Sequence, residues 1–174
     1  MRTRHLLLLI ICLLSVSSFS HKAPASSAPV TVYIFLSETC PICQSYTLTL
    51  KTLYTKYSAP PVKFIGVFPN YYSGEKSLAE FKKKYEIPFA LVTDKSGTLS
   101  KRLKAGITPE VFVEDDKRNI LYSGRIDDSF YAVGKRRTVI TSNDLDDALA
   151  AITTGKKVAQ PKTQAVGCII TTSE

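Results

Sequence analysis

The chain has 174 residues, 44% hydrophobic and 22% charged, a globular balance that argues against disordered, collagenous and low-complexity classes. Its formal charge of +8 sits in short, scattered clusters, Lys82 to Lys84, Lys135 to Arg137 and Lys156 with Lys157, with no interleaved aromatic array. That pattern argues for a solvated basic surface, not a nucleic-acid site, and leaves at most a peripheral attraction to anionic lipid.

Taken in chain order, the first feature is Arg2 and Arg4 ahead of the apolar run "LLLLIICLLSV", Leu6 to Val16, followed by the small residues Ser17, Ser18 and Ser20. Positive, apolar, small is the order of a secretory signal peptide, predicted over residues 1–20 with cleavage after Ser20. The apolar run is too short for a membrane-spanning helix, which needs about 20 residues. Cys12 lies in mid-run behind Leu9, Ile10 and Ile11, so lipid anchoring at that cysteine is the weaker alternative to apolar filler. Residues 21–29, "HKAPASSAP", read as a flexible lead-in. About 154 residues then remain with a charge of +6, enough for one compact domain, assigned to residues 30–155, and a tail over 156–174 that carries Cys168.

From Val30 the pattern alternates strand and helix. "VTVYIFL", Val30 to Leu36, is β-branched and aromatic without a polar face, as suits a strand buried on both sides. Tyr46, Leu50, Leu53 and Tyr57 then share one face of an amphipathic helix. A second buried strand, "VKFIGVF", a turn-rich loop, "PNYYSGEKS", and a helix presenting Leu78, Phe81 and Tyr85 follow. "PFALVTD", Pro88 to Asp94, reads as a third strand, with a short helix after "KSG". "EVFVED" and "NILYSGR" flank the charged turn Asp116 to Arg118 and predict an antiparallel hairpin. Thr141 with Asp144 has the spacing of a capping box for a last helix, whose Leu145, Leu149 and Ile152 share a face and which Gly155 ends. The expected fold class is α/β, a mixed central sheet with helices on both faces.

The chemistry centres on "SETCPICQSY", where Cys40 and Cys43 flank Pro41 and Ile42 at the junction of a buried strand and a helix. A thiolate at a helix N-terminus is stabilised by unpaired N–H groups and the macrodipole, which makes Cys40 the nucleophile. Pro41 suits the first helical position because its missing N–H has no intrahelical partner to lose. Cys43, one turn on, reaches back toward Cys40. A purely structural disulfide across two residues closes a loop too small to constrain the unfolded chain much. A metal site wants more ligands, and only Cys168 and His21 are left to join, since His5 leaves with the signal.

A buried strand running into C-x-x-C, with a late "TP" just before a β-hairpin, resembles the thioredoxin fold. More narrowly, "SETCPICQSY", "ITPEVFVEDDKRNILYSGRIDD" and "AVGCII" resemble redoxin-domain proteins of the alkyl hydroperoxide reductase and thiol-specific antioxidant group of bacterial cell envelopes, from about Val30 to Ile170. The resemblance implies a cis peptide bond before Pro109, with Thr108 and Pro109 facing the cysteines and presenting backbone to a substrate strand. It implies a thiol-disulfide oxidoreductase; the chain is expected to act as a monomer without cofactor or metal and, from its N-terminal pattern, to be exported to the periplasm or secreted. Its expected partners are protein thiols and disulfides together with an unidentified redox partner. Cys40 would form a mixed disulfide and Cys43 would resolve it.

Cys168 opens two alternatives. Its 128-residue separation from Cys40 resembles two-cysteine peroxiredoxins, in which Cys40 would be peroxidatic and Cys43 or Cys168 would resolve it. Against that, the family signature P-x-x-x-T/S-x-x-C is met by Ser37 but has Tyr33 at its proline. The other alternative is a redox-dependent binding or metal-delivery module. Among the remaining polar residues, Asp94 is a proton-relay candidate or a turn former, and Glu38 a tuning carboxylate or a solvated loop residue. Arg125 is expected to pair with Asp127 or Asp128, and "FYAVGKRRTV", Phe130 to Val139, to form a loop serving as a partner-binding rim.

Overall fold

The computed structural model describes residues 29–59 and 62–171; the predicted signal peptide, Cys12, His21 and most of the predicted lead-in lie outside them. Strands β1 (Val30–Phe35), β2 (Val62–Phe68) and β3 (Ala90–Thr93) run parallel, linked by α1 (Pro41–Ser45), α2 (Thr47–Tyr57) and α3 (Glu75–Tyr85). After α4 (Thr98–Leu103) and the two-residue β4 (Ile107–Thr108) comes the hairpin β5 (Glu110–Asp115) and β6 (Ile120–Gly124). β5 lies antiparallel on the other side of β1, so the sheet order is β3-β2-β1-β5-β6. A small hairpin, β7 (Phe130–Ala132) with β8 (Lys135–Arg136), precedes α5 (Asp144–Thr153), and β9 (Cys168–Ile169) is the last strand among the described residues.

Alternation along β1 distributes its side chains between two cores. Val30, Val32 and Ile34 pack with Val111 and Val113 of β5 against Leu50 and Leu53 of α2, Leu78 and Phe81 of α3, and Leu145 and Leu149 of α5. On the opposite face Phe35, Val67 and Phe112 meet Leu103 of α4. β1 lies between two paired neighbours with both faces covered, which is why it carries no polar stripe. The helical face expected on Tyr46, Leu50, Leu53 and Tyr57 is buried as one.

Five details differ from the sequence expectation. The helix after Cys40 breaks at Tyr46, whose hydroxyl donates to Asp127 Oδ1 at 2.6 Å. β3 is shorter than Pro88 to Asp94 and largely exposed, as an edge strand that pairs only with β2. Thr141 does not cap α5: Asn143 holds the cap position, and the Thr141 hydroxyl and N–H both donate to the Asp128 carboxylate. Arg125 pairs with Asp144, Nε to Oδ2 at 2.7 Å, while Asp128 takes Arg137 at 3.4 Å. The expected rim loop is instead the β7–β8 hairpin.

Candidate active site

Two loops leave the carboxyl ends of β1 and β2 and bring Ser37 to Cys40 beside Asn70 to Ser73, the usual place for chemistry in an open α/β sheet. Tyr72 Oη lies within hydrogen-bond distance of Ser37 Oγ, 3.2 Å, and of Thr39 Oγ1, 3.1 Å. Glu38 accepts hydroxyls from Ser73 and Ser77, both at 2.8 Å, and so ties the cysteine loop to the start of α3. It is a structural anchor and not a free loop carboxylate. Asp94 is buried and accepts N–H bonds from Leu99 at 3.0 Å and Ser100 at 2.8 Å, which spends its carboxylate on the first turn of α4.

Cys40 occupies the cap position of α1 with Pro41 directly after it, and its carbonyl accepts the Gln44 N–H at 3.1 Å. The Thr108–Pro109 peptide bond is cis, as the resemblance implies. Cys40 Sγ lies 3.3 Å from the Thr108 carbonyl oxygen. As a thiol that sulfur can donate to the carbonyl; as a disulfide it has no proton to give.

The disulfide present joins Cys40 to Cys168, with Cα atoms 6.2 Å apart across 128 residues, and Cys43 is a thiol. The C-x-x-C spacing predicts Cys43 as the group that reaches Cys40, with Cys168 as the alternative; in the structure Cys168, from the tail, is the bonded partner. Cys43 is fully buried, accepts the Ser37 N–H at 3.4 Å, and has its pKa pushed up to about 12, chiefly by that burial and against smaller lowering from Ser37 and the Thr108 side chain. Cys40 Sγ and the backbone of Cys168 thus both lie against Thr108, which is itself fully buried, while Cys43 lies behind them under the Ser37 N–H.

The tail is held along its length. Lys162 bridges Ser123, the Thr163 N–H donates to the Ser123 carbonyl at 2.9 Å, and the Arg125 N–H donates to Thr163 Oγ1 at 3.0 Å. Farther on, β9 pairs antiparallel with β4 through Ile107 with Ile169 and Thr108 with Cys168. The Ile170 N–H donates to the Gly106 carbonyl at 3.1 Å, the Thr171 N–H to Asn70 Oδ1 at 2.8 Å, and the Tyr71 N–H to the Thr171 carbonyl at 3.1 Å. Sequence reasoning missed Asn70, Tyr72 and Gly167. Asn70 and Tyr72 follow the end of a predicted strand, where sites gather, and a glycine directly before an unplaced cysteine signals a close approach to backbone.

With the five-stranded mixed sheet, the helix-capping cysteine and the cis-proline beside it, the fold is thioredoxin-like, the class that carries thiol-disulfide redox chemistry. The redoxin family profile matches residues 12–135, and the chain belongs to that family. An uncharacterized conserved protein from Geobacillus kaustophilus is similar in structure over 85% of this chain and 79% of its own, with TM-score 0.75 and 23% identity. A secreted Mycobacterium tuberculosis disulfide oxidoreductase, homologous to Escherichia coli DsbE, is similar over 72% of this chain and 84% of its own, with TM-score 0.53 and 19% identity. In sequence, the chloroplastic peroxiredoxin Q of Oryza sativa subsp. japonica is 29% identical over 86 residues, 48% of this chain and 36% of that protein. The chain thus spans about a third of the length of the curated relatives it matches.

Proposed function

We propose that this redoxin exchanges disulfides with other proteins through Cys40, with Cys43 and Cys168 as alternative internal partners. The observation that carries this reading is the meeting of Cys40 and Cys168 at Thr108, next to the cis-proline, with the Cys43 thiol one turn along the helix that Cys40 caps. In one direction, the Cys40 thiolate attacks a partner disulfide, one partner sulfur leaves as thiolate, and a mixed disulfide forms. Cys43 or Cys168, as thiolate, then attacks Cys40 Sγ, expels the second partner sulfur, and leaves the chain oxidised. In reverse, an incoming thiolate attacks Cys40 and the chain's own disulfide passes to the partner. Pro41 and Ile42 contribute no polar side chain, while Thr108 and Pro109 supply the backbone surface against Cys40.

A disulfide that persists at rest is favoured outside the reducing cytosol, which agrees with the signal-like pattern of residues 1–20 and with the secreted structural neighbour from M. tuberculosis. The test is trapping. Cys40→Ser abolishes exchange with a reduced or scrambled protein substrate, and Cys43→Ser together with Cys168→Ser accumulates a mixed disulfide at Cys40 identified by mass mapping. Full activity of Cys40→Ser sinks the proposal.

A peroxidase reading is favoured by one observation, the Cys40–Cys168 bond itself. Cys40 thiolate and hydrogen peroxide would give sulfenic acid and hydroxide, and Cys168 would condense with it to the disulfide and water. Tyr33, at the signature's proline, lies in the middle of β1 paired with Ile65 and Phe112, so no proline-bearing loop stands there to shape a peroxide pocket. Peroxide consumption coupled to Cys40–Cys168 formation, at rates above those of a free thiol, decides for it.

A further inference from the structure

The tail enters the site in a form that describes what else can enter it. Its last residues alternate: Val166 and Cys168 pack against the main core and Ile170 against the core under α4, while Ile169 between them is 82% exposed. The strand is held on two sides, by the backbone of Gly106 to Thr108 on one and by the Asn70 side-chain amide oxygen with the Tyr71 N–H on the other. Asn70 is 1% exposed, so its amide oxygen needs a donor from whatever strand lies there.

Gly167 is the tightest point. A Cβ built on it would lie 2.1 Å from the Thr108 carbonyl oxygen, 2.6 Å from its carbon and 3.0 Å from Pro109 N. All three are backbone atoms next to the cis-proline, and none can swing aside as a flexible side chain would.

We propose that the groove between β4 and the Asn70–Tyr71 turn selects extended protein segments with glycine directly before the reacting cysteine and an aliphatic residue two positions to either side of it, and that the chain's own tail is a displaceable occupant of this groove. The proposal rests on disulfide exchange at Cys40. The residue after the cysteine faces solvent and is unrestricted. While Cys168 is bonded to Cys40 the groove is filled; once Cys43 or an outside thiolate takes Cys40, Cys168 leaves as thiolate and the tail frees both edges.

The test uses the full chain carrying Cys43→Ser and Cys168→Ser, with three disulfide probes mapped at Cys40 by mass. The probes are the symmetric disulfide of a heptapeptide copying residues 165–171, the same peptide with alanine in place of Gly167, and hydroxyethyl disulfide. In each reaction the Cys40 thiolate displaces one half of the probe as thiolate, with no net oxidation. The glycine peptide should react about tenfold to a hundredfold faster than the alanine peptide, the size of an overpacking penalty against rigid backbone. Equal peptide rates, with hydroxyethyl disulfide still reacting, overturn the groove selectivity and leave exchange at Cys40 standing. No reaction with hydroxyethyl disulfide removes the exchange chemistry and this inference with it. A second measurement keeps all native cysteines: Gly167→Ala in the full chain should lower the equilibrium constant for Cys40–Cys168 formation in glutathione buffers at least tenfold, and an unchanged constant overturns the proposal.

Discussion

Conversion of the Cys40–Cys168 disulfide into Cys40–Cys43 should be slow at neutral pH and should accelerate with pH well past the range of an ordinary thiol. The attacking group is Cys43, which burial holds up to about 12 from the usual 9.0. At pH 7 the ionised fraction is therefore about 10⁻⁵, against about 10⁻² for an unperturbed thiol. A thiolate of higher pKa is intrinsically more nucleophilic, with a Brønsted slope of about 0.4–0.5, which returns roughly 20-fold of the roughly 1,000-fold loss. The net slowing is about 50-fold relative to an exposed thiol in the same place. Because the raised pKa keeps the proton on Cys43 through the whole accessible window, the rate should climb about tenfold per pH unit from 7 to 10 without levelling. The assay starts from protein oxidised at Cys40–Cys168, holds it at each pH without added thiol, quenches with acid, and follows the newly freed Cys168 by differential alkylation and peptide mapping. A plateau near pH 9 would mean that Cys43 titrates normally, and the reasoning from burial would fail.

Asn70→Ala removes the acceptor for the Thr171 N–H, a contribution of about 1 kcal/mol, and should shift the Cys40–Cys168 equilibrium roughly fivefold toward the dithiol. Glutathione titration measures it, and the stability of the rest of the domain should change little because the lost bond ties only Thr171 of the tail to the Asn70 turn. Asp144→Ala strips Arg125 of its bidentate partner and leaves a half-buried guanidinium at the junction of β6 and α5, which should lower unfolding free energy in urea by about 1–3 kcal/mol. The partial exposure of Arg125, 29%, keeps the expected loss below that of a fully buried pair.

What could be read from the sequence was local. β1, the helix faced by Leu50 and Leu53, and the β5–β6 hairpin announce themselves through period and turn chemistry within a dozen residues. The cysteine pair and the "TP" before β5 are likewise short motifs with a mechanical reason for their positions. The remainder depends on which distant groups meet. β9 is two residues long and has no period to detect; its partner lies some sixty residues upstream. Arg125 had acidic neighbours at 127 and 128, yet Tyr46 and Thr141 engage those carboxylates and leave Asp144 for the guanidinium. Glu38 reads as a solvated loop residue until the turn before α3 and the first turn of that helix deliver Ser73 and Ser77 to it. Hydrophobic period locates elements, whereas polar pairing is settled only when the elements are packed.

The two possible partners of Cys40 are not equivalent, and the difference bears on which oxidised form exchanges. When an incoming thiolate attacks Cys40, the bond breaks toward whichever cysteine shares it, and a thiol of lower pKa leaves faster. Cys43 would depart as a thiolate into a fully buried site that raises its pKa to about 12. Cys168 sits half-buried on a strand whose next residue is in solvent, so its charge is hydrated as the tail lifts. Cys40–Cys168 should therefore be the form that hands its disulfide on, and Cys40–Cys43 a slower, more durable store. Oxidised Cys43→Ser, which can bond only Cys40 to Cys168, should be opened by excess reduced glutathione about tenfold or more faster than oxidised Cys168→Ser, with both rates followed by the mass of the Cys40 adduct. Equal rates would show that the buried leaving group carries no penalty, and the division of labour between the two cysteines would have to come from the docking of the tail alone.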